Sequence, residues 1–374
     1  MYPSFISKRI KVVRDMNTHA FHNETIDVNI TLTNTSRWPA LWIRVTDTVP
    51  VRLIIGFPPD IAFSLPGRDA KQICYQIRGK VRGYYQVGPL TLRTGDLLGL
   101  KSLSLTDSGE FITVYPRIKP IAQLKLPSRL PFGTIASRQQ LYADPARPTG
   151  VRDYRSGDSI RHINWKVSAH TTDLAVKTFQ PAISLESMIL LNFDRDDYVK
   201  RLHNREWAVE VAASLAAHLN QKRQSVGFMS NGFDPLSIET VHEFDEDSGR
   251  LMTPETTGGA LPVAIPPHTG RANLMRILET LARIDSSTNV PFVQWATKAV
   301  TTLSWGTTVL VISPKGDEAT CHTLHRMLRA GLNPILLLVE GQENLGMVRE
   351  RARRLGFPAY TILNESDLLR IGVN

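Results

Sequence analysis

Ser187-Met188-Ile189-Leu190-Leu191-Asn192-Phe193-Asp194 decides the fold of the C-terminal half. Its core is an unbroken apolar run, too short for a helix of ordinary length and lacking the polar alternation of a half-exposed strand. Such a run is a strand buried on both faces, as in a parallel sheet covered by helices. The chain that follows agrees. Trp207, Val211 and Leu215 recur at helical spacing and predict a helix over about 204–221. Short apolar runs at 225–230, 308–313, 334–339 and 360–363 predict further strands. Amphipathic spacing predicts helices at 271–284, 291–303, 317–330 and 345–355. Residues 232–270, rich in Pro, Gly and Thr, read as an irregular loop with a short hairpin. Strands alternating with helices make 187–374 a doubly wound, mostly parallel α/β domain.

N-terminal to this stretch the period changes from helical to two. Ile26-Asp27-Val28-Asn29-Ile30-Thr31-Leu32-Thr33-Asn34 alternates apolar and polar, as do Leu41, Ile43 and Val45, and again Ile73, Tyr75 and Ile77. Turn signals at Asn34-Thr35-Ser36, Pro66-Gly67 and Arg82-Gly83 separate the runs. Residues 10–118 are therefore expected to form an antiparallel β-sandwich domain. Pro120, Pro127, Pro131, Pro145 and Pro148 mark 119–150 as an extended connection, and 119–186 as linker plus a polar signature segment. The expected fold class is multidomain, β followed by α/β.

The net charge of +9 is unevenly placed. Residues 1–150 carry +10, residues 151–186 +1 and residues 187–374 −2. This asymmetry points to an anionic partner such as a membrane surface, or to a basic face kept for solubility. The two cysteines, Cys74 and Cys321, match no metal or redox spacing. No apolar run approaches the roughly 20 residues that span a bilayer, and the first residues lack the apolar core of a signal peptide. The expected location is cytoplasmic, with association to a membrane left open.

The segment between the two halves runs Gly150-Val151-Arg152-Asp153-Tyr154-Arg155-Ser156-Gly157-Asp158-Ser159-Ile160-Arg161-His162-Ile163-Asn164-Trp165-Lys166-Val167-Ser168-Ala169-His170. Arg152, Asp153, Tyr154, Gly157, Asp158, Arg161, Asn164, Trp165 and Lys166 are the candidate interaction residues. Two roles are open for them. One is a salt-bridged clasp between domains, with Trp165 buried as its anchor. The other is a docking surface for a partner.

This segment resembles the signature of the bacterial family known as domain of unknown function 58: Gly-hydrophobic-Arg-acidic-Tyr, Gly-Asp, Arg, hydrophobic-polar-Trp-Lys and Ser-Ala. His170 departs from it, standing where the family has a basic residue. Arg82-Gly83-Tyr84-Tyr85-Gln86-Val87-Gly88-Pro89-Leu90, Asp96-Leu97-Leu98-Gly99-Leu100 and Val114-Tyr115-Pro116 resemble the end of the family's β-domain. The resemblance implies a C-terminal domain like von Willebrand factor A. It also implies a MoxR-type AAA+ ATPase as protein partner and, in most members, two membrane-spanning helices at the start, which are not seen here.

A von Willebrand factor A domain can hold a divalent cation through an Asp-x-Ser-x-Ser loop after its first strand, completed by a Thr and an Asp from later loops. Here the loop is Asp194-Arg195-Asp196-Asp197-Tyr198, with Asp196 and Tyr198 at the Ser positions and Ser313-Pro314 where the later Asp belongs. The loop is degenerate, and Arg195 adds a competing positive charge, so neither metal nor cofactor is expected. Nothing assembles a catalytic set. Cys321, His322 and His325 read as a solvated helix face. The expected function is a non-enzymatic interaction or adaptor protein. Its rivals are a metal-dependent adhesion-type binder, a nucleic-acid binder and an unrecognised hydrolase. Nucleic acid is not expected as partner, because no aromatic-basic interleaving marks a stacking platform.

Overall fold

The structure, a computed structural model, describes residues 8–95, 102–122, 124, 142–154, 163–169, 174–182, 186–199, 203–237, 263–285, 290–341 and 344–371. Ten strands come first: β1 (Ile10–Met16), β2 (His19–Ala20), β3 (Thr25–Asn34), β4 (Ala40–Asp47), β5 (Asp60–Leu65), β6 (Ala70–Arg78), β7 (Gly83–Val87), β8 (Leu90–Gly95), β9 (Ser102–Thr106) and β10 (Glu110–Val114). They form sheets of order β1-β3-β6, β2-β10-β7 and β5-β4-β8-β9, antiparallel except for the short β2–β10 pair.

The period-two reading of β3 holds side chain by side chain. Ile26, Val28, Ile30 and Leu32 point into one apolar core with Ile43, Val45, Tyr85, Val87, Ile112 and Val114. Leu41 is an exception. A register shift between Ala40 and Ile43 turns Ala40 inward and leaves Leu41 exposed. An ion pair crosses this core. The Arg14 guanidinium donates to Asp47 at 2.6 Å and to the Val87 carbonyl at 3.1 Å, and the Tyr75 hydroxyl donates to the other Asp47 oxygen at 2.5 Å. A buried arginine and carboxylate persist only when paired with each other and with further hydrogen-bonding groups, as here.

Residues 128–186 form a compact unit of their own. In it β11 (Tyr142–Asp153) precedes α1 (Trp165–Ser168), a single turn, and pairs antiparallel with β12 (Ala175–Ala182). The extended connection expected up to residue 150 is thus in part a strand. Register shifts flank Pro148, where the missing N–H is tolerated.

The other unit joins the first 127 residues to 187–374. Its α/β part contains β13 (Glu186–Leu191), α2 (His203–Gln221), β14 (Ser225–Ser230), β15 (Val263–His268), α3 (Arg271–Arg283), α4 (Phe292–Ala299), β16 (Thr308–Ser313), α5 (Glu318–Arg329), β17 (Asn333–Leu338), α6 (Leu345–Leu355), β18 (Ala359–Thr361) and α7 (Glu365–Leu369). The sheet order is β15-β14-β13-β16-β17-β18. Strands β13, β16, β17 and β18 run parallel. The edge strand β15, which the Pro-rich composition had concealed, is antiparallel to β14.

Both faces of this sheet are covered. Ile189, Leu191, Leu310, Ile312 and Leu337 pack with α2, α3 and α7, while Met188, Leu190, Val309, Val311 and Leu336 pack with α4, α5 and α6. That is the reason for the unbroken apolar strands. Cys321 belongs to the second cluster and is fully buried, which corrects its place on the expected solvated face, whereas His322 is exposed and His325 half-buried. Among the described residues, no helix is long and apolar enough to cross a membrane.

Candidate functional site

Parallel strands end together, and the loops after β13, β16 and β17 therefore share one edge of the sheet. Asn192, fully buried, organises that edge. Its amide Nδ2 donates to Asp197 at 2.8 Å and to the Ser313 hydroxyl at 3.2 Å, and its Oδ1 accepts the Asp194 N–H at 3.1 Å. Asp194 Oδ1 accepts the Asp196 N–H at 3.1 Å, closing a tight turn. Tyr198 turns inward, its hydroxyl donating to the Asn192 carbonyl at 2.7 Å. Burial holds that phenol well above its ordinary pKa. Glu340, in the loop after β17, accepts from the Val199 N–H at 3.3 Å and from the Asn204 amide.

The decisive residue is Lys315. Its ammonium lies 2.6 Å from Asp197 Oδ1 and 3.3 Å from Asp317 Oδ2. Burial works against its charge, but the hydrogen bonds and charges of Asp197 and Asp317 outweigh burial and raise its pKa. Asp317 is lowered: burial pushes it up, but its bonds to Thr320, which it caps at the start of α5, and the Lys315 ammonium prevail. Asp194 is raised, first by burial and then by the neighbouring Asp197 and Asp196 charges, against the opposing Asp196 N–H and Lys315.

The edge therefore supplies its own cation. A divalent ion would need the oxygens that Lys315 holds, and Tyr198 is packed inward where a hydroxyl ligand would stand. Among the described residues, no three His, Cys, Asp or Glu side chains converge to hold a metal. The competing positive charge was expected from Arg195, but Arg195 is exposed and Lys315 carries it instead. The available signal was a lysine two residues beyond the end of an apolar strand.

The signature residues lie in the separate unit. Arg152 and Asp153 end β11, and the Arg152 guanidinium donates to the Asp153 carbonyl at 3.0 Å. Tyr154 follows, exposed. Asn164 precedes α1, which begins with Trp165 and Lys166. Gly157, Asp158 and Arg161 lie outside the described residues. Ile163 is buried and bridges Val176, whereas Trp165 is 64% exposed. The expectation of Trp165 as a buried anchor is corrected: the one-turn helix buries none of its residues, and the inward position is taken by Ile163, two residues before it, at its bridge to Val176.

A clasp does exist between the antiparallel strands and the α/β part, and it is built by Arg82 of the other motif. Arg82, 4% exposed, forks onto Glu206 of α2 at 2.7 and 3.1 Å. Its remaining amino group donates to the carbonyls of Leu281 at 2.6 Å and of Ala282 and Ile284 at 3.3 Å. These lie at the end of α3, where carbonyls lack helical partners and the dipole favours a cation. The Tyr85 hydroxyl donates back to the Val81 and Arg82 carbonyls at 2.9 and 3.1 Å, which fixes the turn. Lys119 adds a second tie, 3.3 Å from Glu210 and 3.0 Å from Glu365, above the Trp207 ring.

Residues 150–238 match the family described as Protein of unknown function DUF58. This DUF58 match contains the signature hairpin's second half, β13, α2 and β14. Uncharacterized protein YeaD of Bacillus subtilis (strain 168) is 22% identical over 253 residues, covering 64% of this chain and 60% of that protein. The chain thus spans about three fifths of the relative's length. Among solved structures, a von Willebrand factor type A protein from Catenulispora acidiphila aligns at 13% identity and TM-score 0.30, covering 52% of this chain and 42% of that one. The CARDB domain of a Pyrococcus furiosus protein, solved with di-metal ions, aligns at 12% identity and TM-score 0.22, covering 28% and 86%.

Proposed function

We propose that this chain is a non-enzymatic protein-interaction protein, an adaptor for a MoxR-type AAA+ ATPase at the cytoplasmic face of a membrane. In this reading the antiparallel part is a β-sandwich and the α/β part a von Willebrand factor A-like module that works without a metal. The observation that carries the proposal is Trp165. A tryptophan 64% exposed, inside the segment that matches the DUF58 family, next in sequence to exposed Lys166 and in the same segment as exposed Tyr154, has little packing role of its own. Exposed aromatics flanked by cationic side chains are the residue types that dominate binding energy at protein interfaces. The Lys315 ammonium supports the metal-free part of the reading over a metal-dependent adhesion site, because the acidic loop is already neutralised from within.

An affinity pull-down from the native extract tests it, comparing the parent chain with Trp165→Ala and Arg152→Glu. Recovery of an AAA+ ATPase by the parent, lost in both variants while their melting temperatures stay unchanged, is the expected result. Equal recovery by parent and variants removes the signature segment from the interface. Recovery of nucleic acid alone, or a hydrolytic activity in the purified chain, refutes the adaptor.

A further inference from the structure

We infer that one end of the antiparallel strands is a docking face for an anionic lipid surface, centred on Trp38. The inference deepens the membrane-face part of the reading above and is independent of any ATPase partner. Three turns meet at this end. The chain entering β1 is tied to the turn after β3, where the Thr35 N–H donates to the Arg9 carbonyl at 2.9 Å. The same turn is tied to the one between β5 and β6, where the Arg68 N–H donates to the Ser36 carbonyl at 2.9 Å.

These turns are fixed from below by buried Asn34. Its amide donates to the carbonyls of Trp38 at 2.9 Å, Pro66 at 3.0 Å and Leu65 at 3.3 Å, and its Oδ1 accepts from both the N–H and the hydroxyl of Ser36. Gly67 permits the closeness: a Cβ there would lie 2.3 Å from the Arg37 carbonyl oxygen. The backbone is thus held from inside, yet Trp38 is 64% exposed. An indole displayed on a rigid turn contributes nothing to the core beneath it, and it is the side chain that favours the headgroup level of a bilayer.

The charge around it has one sign. Lys8, Arg9, Arg37 and Arg68 are exposed on these turns against the single acid Asp69, whose carboxylate accepts the Ala70 N–H at 2.8 Å. Among the described residues, no carboxylate pairs with Arg37 or Arg68. One interfacial aromatic ringed by basic side chains fits the negative potential of an anionic leaflet. A single-stranded nucleic acid would need successive stacking aromatics along a groove, and among the described residues of these turns Trp38 is the one exposed aromatic.

Co-sedimentation of the full chain with vesicles of phosphatidylcholine and phosphatidylglycerol at 70:30, against pure phosphatidylcholine, is the test. Binding is expected only to the anionic vesicles and should weaken as salt is raised. Arg37→Gln/Arg68→Gln should lower partitioning about 25-fold, at roughly five-fold per basic residue. Trp38→Ser should also lower it, with melting temperatures unchanged in both variants because these side chains point outward. Equal binding to both vesicle types, no binding to either, or binding untouched by the variants overturns the proposal. So does capture of a single-stranded oligonucleotide in preference to anionic vesicles. A failed ATPase pull-down leaves this result standing, and a failed vesicle assay leaves the pull-down standing.

Discussion

Replacing Arg82 by methionine keeps the aliphatic stem and removes only the guanidinium. In the folded protein that group satisfies both Glu206 oxygens and three carbonyls at the end of α3. Truncating one member of a buried charged pair costs about 3–5 kcal/mol, since the partners stay buried without a donor. Glu206 is one-third exposed, so water recovers part of its loss. The larger share comes from the Leu281 carbonyl, whose 2.6 Å bond to a charged donor is worth about 1.5–3 kcal/mol. We therefore expect a loss of about 3–5 kcal/mol in urea unfolding, followed by tryptophan fluorescence and far-UV circular dichroism together. Because Arg82 bridges the antiparallel strands and the α/β part, the two signals should separate in the variant, giving two transitions instead of one. Arg82→Lys should recover less than half the loss, for an ammonium replaces the fork with a point charge. A loss below about 1 kcal/mol with coincident transitions would refute the clasp and leave the Lys119 contacts and burial of the adjoining apolar surface to hold the two parts.

Trp165→Ala should change stability by no more than about 0.5 kcal/mol, as for other exposed positions; a fall of several degrees in melting temperature would show that the ring is packed after all. Lys315→Met leaves Asp197 and Asp317 facing each other and should create weak Mn²⁺ binding, seen by paramagnetic broadening. Saturation of the parent chain by micromolar Mn²⁺, abolished by Asp194→Ala, would instead overturn the internal-cation reading. Asp194 is raised in the folded state, so folding takes up protons just above the ordinary carboxylate range and stability falls as pH rises through that window. Asp194→Asn should therefore stabilise the protein at pH 7, and the gain should vanish near pH 4; greater stability of the parent at pH 7 would contradict this. Asp317 is lowered, so its contribution is full at neutral pH and is lost only as pH falls below the ordinary carboxylate value, and Asp317→Asn should lose its effect in acid.

Periodicity alone determined the two kinds of structure in this protein. Alternation in β3 and unbroken apolar runs in β13, β16 and β17 record how many faces of each strand are buried, and burial is written directly into residue type. Helix ends were legible for the same local reason. Asp317 and Asn344 cap the helices they precede, and Gly356 takes the left-handed conformation that ends α6. The acidic run Asp194–Asp197 was legible as composition, but the ammonium of Lys315 that faces Asp197 was not. Tertiary structure alone decided what faces what. Edge strand β15 has little pattern because β14 supplies its pairing, and β11 carries prolines that a bulged hairpin tolerates. Ser313, at the end of β16, meets Asn192 across 121 residues of chain, and Lys315 just beyond it reaches Asp197. Arg82 meets carbonyls 199 to 202 residues away. No local period encodes such pairings, because their energy arises only when distant backbone ends, already folded, leave a buried charge or carbonyl in need of a partner.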